Sequence, residues 1–132
     1  MSLQKIVEST ISDLRSKKLP IGAYLATRAA DGVATIFNVY KYGPSIEWNP
    51  DVRYFLESFG PIKGMLDSNA IYTPPIFLGL YISGKALGWV LRPKAVSTKR
   101  FLEHFPFYFA ASLNTFCAIS NVVVYFGGPS PF

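Results

Sequence analysis

The sequence predicts an α+β fold, in which an antiparallel sheet of about five strands carries three packed helices. Two hairpins supply four of the strands, because Asp31-Gly32 and Ser83-Gly84 are turn pairs that separate apolar segments. The fifth strand is expected over Val122–Phe126, a run of β-branched and aromatic residues. Half of the 132 residues are apolar, which is enough for one core, so we expect a single domain over residues 1–132.

The first predicted helix covers residues 3–18, where apolar residues recur at steps of three and four. Ser2 is placed to cap its start, and Pro20 is placed to end it. Residues 21–42 follow as the first hairpin, with apolar side chains on both faces. A sheet of this kind needs cover on both sides, which the helices would supply.

A second helix is predicted to begin after Asn49, a capping residue that is followed by Pro50 at the first helical position. Gly60-Pro61 interrupts this helix, and a short second piece continues in a new direction. Thr73-Pro74-Pro75 then marks the entry to the second hairpin.

The second hairpin covers residues 76–92 and sets Gly79 opposite Gly88. Two facing glycines would leave a notch in the sheet, which favours either close approach of a packing helix or a floor for a small flat ligand. The segment also matches the spacing GxxxxGK of a phosphate-binding loop. However, Ala86 stands where a metal-binding hydroxyl is needed, and no helix is predicted to follow, so this match is discounted.

The third helix is expected to start near Thr98, and Pro106 either kinks it or begins the next helical piece over about residues 106–118, ahead of a strand over about residues 121–126. Residues 127–132 form an uncharged apolar tail, which we expect to dock on a neighbouring subunit. The uncharged run of residues 105–126 has the length of a membrane span. Its polar residues and its β-rich end argue against that reading, so a membrane is not an expected partner.

Composition favours a non-enzymatic structural or interaction protein that associates with itself, as a subunit of a larger assembly. Only 16% of the residues are charged, against about a quarter in average soluble domains, and 16% are aromatic. A chain with so little polar surface is expected to bury apolar area against a partner. Candidate interface residues are Tyr40, Tyr42, Trp48, Pro131 and Phe132. The first residues lack a basic segment followed by an apolar one, so a cytoplasmic location is expected.

Two alternative functions remain open at this stage. Basic residues without intervening acids follow one another between residues 67 and 103, which is compatible with nucleic-acid binding. The candidate contacts are Lys85, Arg92, Lys94, Lys99 and Arg100. The other alternative is a binder or enzyme for a small apolar ligand at the Gly79/Gly88 notch.

Residue types that carry catalysis or bind metals are scarce. The chain has one histidine, His104, and one cysteine, Cys117, without a spacing that is typical of a metal site or of a nucleophile–base pair. We therefore predict no catalytic residue, no metal and no cofactor.

Overall fold

The protein is all-helical within the described residues. The structure, a computed structural model, describes residues 1–131; they form five α-helices and a short 3-10 turn, and no β-strand occurs among them. The elements are α1 (Leu3–Ser16), α2 (Lys18–Tyr42), the 3-10 turn (Pro44–Ile46), α3 (Pro50–Phe59), α4 (Pro61–Val90) and α5 (Val96–Tyr125).

The predicted α+β fold is therefore wrong. The first predicted hairpin is all of α2 after its first three residues, the second lies almost entirely within α4, and the predicted C-terminal strand is the last turn of α5 and the residue after it. No sheet exists over residues 1–131 for three helices to pack on, and the predicted notch between Gly79 and Gly88 does not form.

The glycines that suggested turns serve instead as contact points between helices. Gly32 is buried in α2, where a Cβ atom would lie 3.4 Å from the side-chain nitrogen of Asn69 on α4. A Cβ on Gly84 would meet the backbone of Glu103 on α5. A turn glycine and a packing glycine look alike in sequence, because both are selected for the absence of a side chain.

Local propensity was also a poor guide at the prolines and valines. Pro74-Pro75 and Pro106 lie inside α4 and α5, and Val122–Val124 continue α5 rather than forming a strand. A valine in a helix costs a few tenths of a kcal/mol and a proline in a helix interior about 3 kcal/mol, so packing of the long helices must offset both.

Several local predictions are confirmed. The first helix is present, and the Ser2 hydroxyl accepts a hydrogen bond from the Lys5 backbone nitrogen. The Asn49 side chain caps α3, accepting from the backbone nitrogen of Asp51 at 3.0 Å, and Pro50 is the first residue of that helix. Gly60, with φ of 83°, separates α3 from α4 as predicted.

The three long helices form one bundle. Helices α2 and α5 run parallel, since Lys17 contacts Glu103 near their starts and Tyr42 contacts Tyr125 at their ends. Helix α4 runs antiparallel to both. We call the end with the starts of α2 and α5 the basic end, and the opposite end, which holds residues 43–60, the loop end.

Buried apolar contacts within the bundle are few. Val39, Leu56 and Met65 form a small cluster near the loop end. Tyr24 and Phe107 pack edge to face in the middle, with ring centres 6.2 Å apart. The other buried residues are glycines, Pro20, Pro106 and Ala111, together with the polar Lys17, Thr35, Asn38 and Ser68.

Candidate functional site: an apolar surface around two polar clusters

The bundle exposes far more large hydrophobic residues than it buries. Among residues 1–131, six hydrophobic residues are buried, whereas 35 large hydrophobic residues are exposed. The exposed side chains on the long helices include Val33 and Phe37 on α2, Leu78 and Ile82 on α4, and Leu113, Phe116 and Ile119 on α5. A soluble monomer buries most residues of these types, so this surface is suited to an apolar environment.

The accessible area gives a second measure of the same property. The chain exposes 8657 Å², while a compact soluble monomer of its mass exposes about 6,900 Å². The excess means that folding of one chain leaves much of its hydrophobic surface exposed.

Helix α5 is long and apolar enough to cross a membrane, and within the described residues it is the one helix that passes on composition. Length and composition alone are weak grounds, because the core helix of a soluble protein has the same properties. Such a core helix would be mostly buried, however, and only 17% of the apolar window of α5 is buried inside the protein.

Charges separate toward the two ends of the bundle. Nine Lys or Arg and three Asp or Glu lie at the basic end or on α1, against three Lys or Arg and four Asp or Glu at the loop end. Between these ends only Arg28 and Asp31 are charged. The middle of the bundle, which is also its most apolar stretch, is therefore nearly free of charge.

The first polar cluster, which we call the ionic hub, closes the basic end. It consists of Asp13, Lys17, Tyr81, Lys85 and Glu103. The Lys17 ammonium donates to Asp13 at 2.7 Å and to Glu103 at 3.1 Å, and the Lys85 ammonium lies 3.0 Å from Asp13 and 3.6 Å from Glu103. Lys17 is 1% exposed. Two carboxylates alternate with two ammonium groups, so that each charge has two partners.

Asp13 is the centre of the hub. Burial would raise the pKa of its carboxyl, but hydrogen bonds from Lys17, Tyr81 and Lys85 outweigh burial and lower the pKa to about 2. The Tyr81 hydroxyl donates to Asp13 at 2.7 Å. The hub therefore joins the end of α1 to α4 and α5 through a carboxylate that is ionised at neutral pH.

The second polar cluster, which we call the asparagine cluster, lies between α2 and α5, from mid-bundle toward the loop end. It consists of Asp31, Thr35, Asn38 and Asn121. The Asn121 amide donates to Asp31 at 2.9 Å and to Thr35 at 3.1 Å, while the Asn38 amide donates to the Asn121 backbone oxygen at 2.9 Å. These hydrogen bonds fix the register of the two parallel helices.

A polar cleft opens beside the asparagine cluster. Its volume is about 320 Å³, and it reaches from Ile76 at the middle of α4 to Asn49 in the loop. Its polar lining includes Arg28, Asp31, Glu47, Trp48, Asn69 and Tyr72. Burial raises the pKa of the Glu47 carboxyl, although a backbone hydrogen bond from Asn49 and the charge of Arg53 act in the lowering direction. The cleft has room for water or a small polar solute.

The helices approach closely at two glycines on α4. Gly84 and Gly88 are separated by three residues, and both are buried against α5. A Cβ at Gly88 would lie 3.3 Å from the side chain of Glu103. The small-xxx-small spacing lets two helix backbones meet and is common where helices pack in a membrane.

The structure brings all five predicted nucleic-acid contacts to the basic end. Lys85 is part of the ionic hub, and Arg92 lies over the Trp89 ring at 5.8 Å. Lys94, Lys99 and Arg100 are exposed. Three of the five, Lys85, Arg92 and Lys99, line one open hollow at this end together with Trp89 and Glu103.

The predicted interface residues lie at the loop end, where the structure describes them. Tyr40 and Trp48 are exposed, and the Tyr42 hydroxyl donates to the Tyr125 backbone oxygen at 3.1 Å. Pro131 lines a smaller hollow beside the polar cleft on its own chain. Phe132 lies outside the described residues. Exposed Tyr and Trp side chains at a bundle end are typical of the level at which a membrane meets water.

Sequence reasoning missed both polar clusters. The hydrogen bonds that join different helices in these clusters link residues 68 to 90 positions apart along the chain, as Asp13–Tyr81 and Asp31–Asn121 show. The available signal was the isolated charged pair Arg28 and Asp31 within an apolar segment of helical length. A polar residue there is expected to face inward if the segment is a helix in lipid.

Comparison with known protein families, with curated proteins and with solved structures finds no match. Within residues 1–131, no three His, Cys, Asp or Glu side chains lie close enough together to hold a metal ion. Function must therefore be argued from the distribution of apolar surface, charge and buried polar groups.

Proposed function

We propose that this chain is a non-enzymatic integral membrane protein whose three long helices cross a bilayer as a structural or interaction subunit. The observation that carries the proposal is the large exposed apolar surface of the long helices, combined with hydrogen-bonded polar side chains between them. In lipid the apolar surface costs nothing to expose, and the polar groups must find partners inside the bundle.

The dimensions of the helices agree with this proposal. Helix α2 has 25 residues and α4 and α5 have 30 each, which correspond to about 38 and 45 Å. The hydrocarbon core of a bilayer is about 30 Å thick. Residues 68–84 of α4 and 105–125 of α5 contain no charged side chain. The two charges in the middle of α2, on Arg28 and Asp31, line the polar cleft.

The charge asymmetry supports one orientation. Loops that carry an excess of Lys and Arg stay on the cytoplasmic side of a membrane, and Asp and Glu contribute little to this rule. The basic end, with nine Lys or Arg against three, is therefore expected to face the cytoplasm. The prediction of a soluble cytoplasmic protein is untested, and the surface favours a membrane instead.

Self-association remains the second candidate, and the same apolar surface favours it. Copies of the chain in water would need to cover Val33, Phe37, Leu113 and similar side chains against one another. Such an assembly would dissolve without detergent.

Membrane fractionation separates the two candidates. Expressed in bacteria, the protein should stay in the membrane pellet after an alkaline carbonate wash and should require detergent for extraction. A soluble particle of several copies, purified without detergent and sized by light scattering, would instead favour the self-assembled form and contradict the membrane proposal.

Orientation can be tested with two matched cysteines in a Cys117→Ser background. Ser45→Cys lies at the loop end, and Ser97→Cys lies at the basic end; both native serines are exposed. A membrane-impermeant maleimide added to intact bacterial spheroplasts should label the first and not the second, and lysis should allow both to react. The reverse pattern would contradict the proposed orientation.

A further inference from the structure

We infer that α1 is an interfacial helix, which lies on the anionic surface of the bilayer at the basic end and turns its apolar face toward the acyl chains. The inference rests on the proposed function, because it needs the bundle to be in a membrane. It adds a lipid-binding surface and the chemical class of lipid that this surface fits.

The two faces of α1 differ sharply. Leu3, Ile6, Val7 and Ile11 lie on one face and are between 45% and 76% exposed, and the helix has no buried residue. Lys5, Ser9 and Ser12 lie on the other face. An isolated helix of 14 residues is marginally stable in water, so an uncovered apolar face of this kind needs a surface to lie on.

The apolar face of α1 is continuous with the outer surface of the bundle. A shallow groove of about 550 Å³ joins the two, and its apolar lining includes Ile11, Leu14, Ile21, Leu25 and Phe77. If the outer surface of α2 and α4 faces acyl chains, the acyl chains also reach α1 where the groove meets it. This continuity identifies lipid as the occupant of the α1 face.

The ionic hub holds α1 at the required level. Asp13 on the last turn of α1 bonds to Tyr81 and Lys85 near the end of α4, and Lys17 bonds to Glu103 near the start of α5. These positions lie where the long helices leave the apolar middle of the bundle. The hub thus fixes the end of α1 at the boundary between acyl chains and headgroups.

The positive charge of the basic end favours anionic lipids. Lys5, Arg15 and Lys18 lie on or beside α1, and Lys94, Lys99 and Arg100 are exposed on the adjacent connection and the first turn of α5. Basic residues near a membrane surface are attracted to the negative potential of anionic headgroups. A nucleic acid would satisfy the same charges, but it would leave the apolar face of α1 uncovered.

Fluorescent labelling of two positions on α1 tests this inference. In a Cys117→Ser background, Val7→Cys and its control Ser12→Cys on the opposite face each carry an environment-sensitive fluorophore. The full chain is reconstituted in vesicles of phosphatidylcholine, alone or mixed with phosphatidylglycerol at about 3:1. Far-UV circular dichroism checks that both labelled proteins keep the helix content of the parent.

The label at position 7 should be quenched by lipids with a shallow spin label at least about twice as strongly as the label at position 12. Phosphatidylglycerol should strengthen quenching at position 7, and the combined change Lys94→Gln, Lys99→Gln and Arg100→Gln should reduce that gain. Equal quenching at the two positions, or no response to phosphatidylglycerol, would overturn the inference. A generic oligonucleotide that binds at low salt while position 7 stays in water would assign the basic end to nucleic acid.

The same vesicles distinguish failure of the inference from failure of the proposed function. If an alkaline carbonate wash releases the protein, the membrane proposal itself fails and α1 has no bilayer to lie on. If the protein stays with the vesicles while position 7 remains in water, the bundle is embedded and only the role of α1 is refuted.

Discussion

The two polar clusters of the bundle hold their charges in different ways. At the basic end, each of the two carboxylates of the ionic hub has two ammonium groups within 3.6 Å, and α1 and α4–α5 meet around them. In the asparagine cluster, the Asp31 carboxylate accepts from the neutral amide of Asn121 and borders the polar cleft.

This difference indicates that the hub is a structural joint, whereas the asparagine cluster leaves polar groups that water or a solute can contact. A carboxylate that is paired on several sides gains little from a further ligand, because its lone pairs already have donors. Asp31 lies beside a space of about 320 Å³ that water or a solute can enter from the loop end. Substitutions should therefore affect stability most at the hub and least where the cleft can supply water.

The largest effect is expected from Lys17→Met. The substitution leaves the carboxylates of Asp13 and Glu103 with Lys85 as the remaining ammonium of the hub. Removing one partner of a buried ion pair costs about 3–5 kcal/mol. The free energy of unfolding, measured by denaturant titration in detergent micelles, should fall by that amount.

The matched control is Lys18→Met, since Lys18 is adjacent in sequence but exposed. This change should alter the free energy of unfolding by less than about 0.5 kcal/mol. Similar losses for the two lysines would mean that Lys17 in the hub contributes no more to the free energy of unfolding than an exposed lysine.

Gly84→Ala should have the next largest effect. The added Cβ would meet the Glu103 backbone, so α4 and α5 must separate. Overpacking of this kind typically costs about 1–3 kcal/mol. The control Gly79→Ala lies on the same helix, where the described structure places no atom outside the local helix backbone within 4 Å of the new methyl group. A lower melting temperature for the first variant alone would confirm the close helix contact.

A smaller loss is expected from Asn121→Ala, which removes the amide that bridges Asp31 and Thr35. Hydrogen bonds between helices in a membrane contribute about 1–2 kcal/mol at most, and water in the cleft can replace part of the loss. The control is Asn114→Ala, because the side-chain nitrogen of Asn114 is buried without a hydrogen-bond partner among residues 1–131. Equal losses for the two asparagines would contradict the role of the cluster.

The sequence predicted three local helix boundaries but not the fold, and Pro20, which was expected to end α1, lies in the first turn of α2. The caps at Ser2 and Asn49 and the break at Gly60-Pro61 depend on neighbouring residues, so local chemistry was sufficient to find them. The glycines and β-branched residues of α2, α4 and α5 were misread because their meaning depends on the surroundings. In water, Gly32 favours a turn and Val122–Val124 favour a strand. In a bundle with an apolar surface, the glycine allows two helices to pack closely and the valines continue a helix.

The polar clusters could not be predicted, because they depend on which helices are neighbours. Nothing in the spacing of Asp13, Tyr81 and Glu103 indicates that three distant segments meet. Recognising three long helices would have been the necessary first step, since each isolated charge within an apolar helix then requires an inward partner.

Acid gives a separate test of the ionic hub. The pKa of Asp13 in the folded protein is about 2, below its ordinary value of 3.8, so the carboxylate stabilises the fold above about pH 4. That contribution is lost as the pH falls from about 4 to 2, because protonation then removes the bonds from Lys17 and Lys85. Melting temperatures in detergent across this range should fall less steeply for Asp13→Asn than for the parent protein. Parallel curves for the two proteins would show that acid acts elsewhere, and that the hub is not the joint between α1 and the bundle.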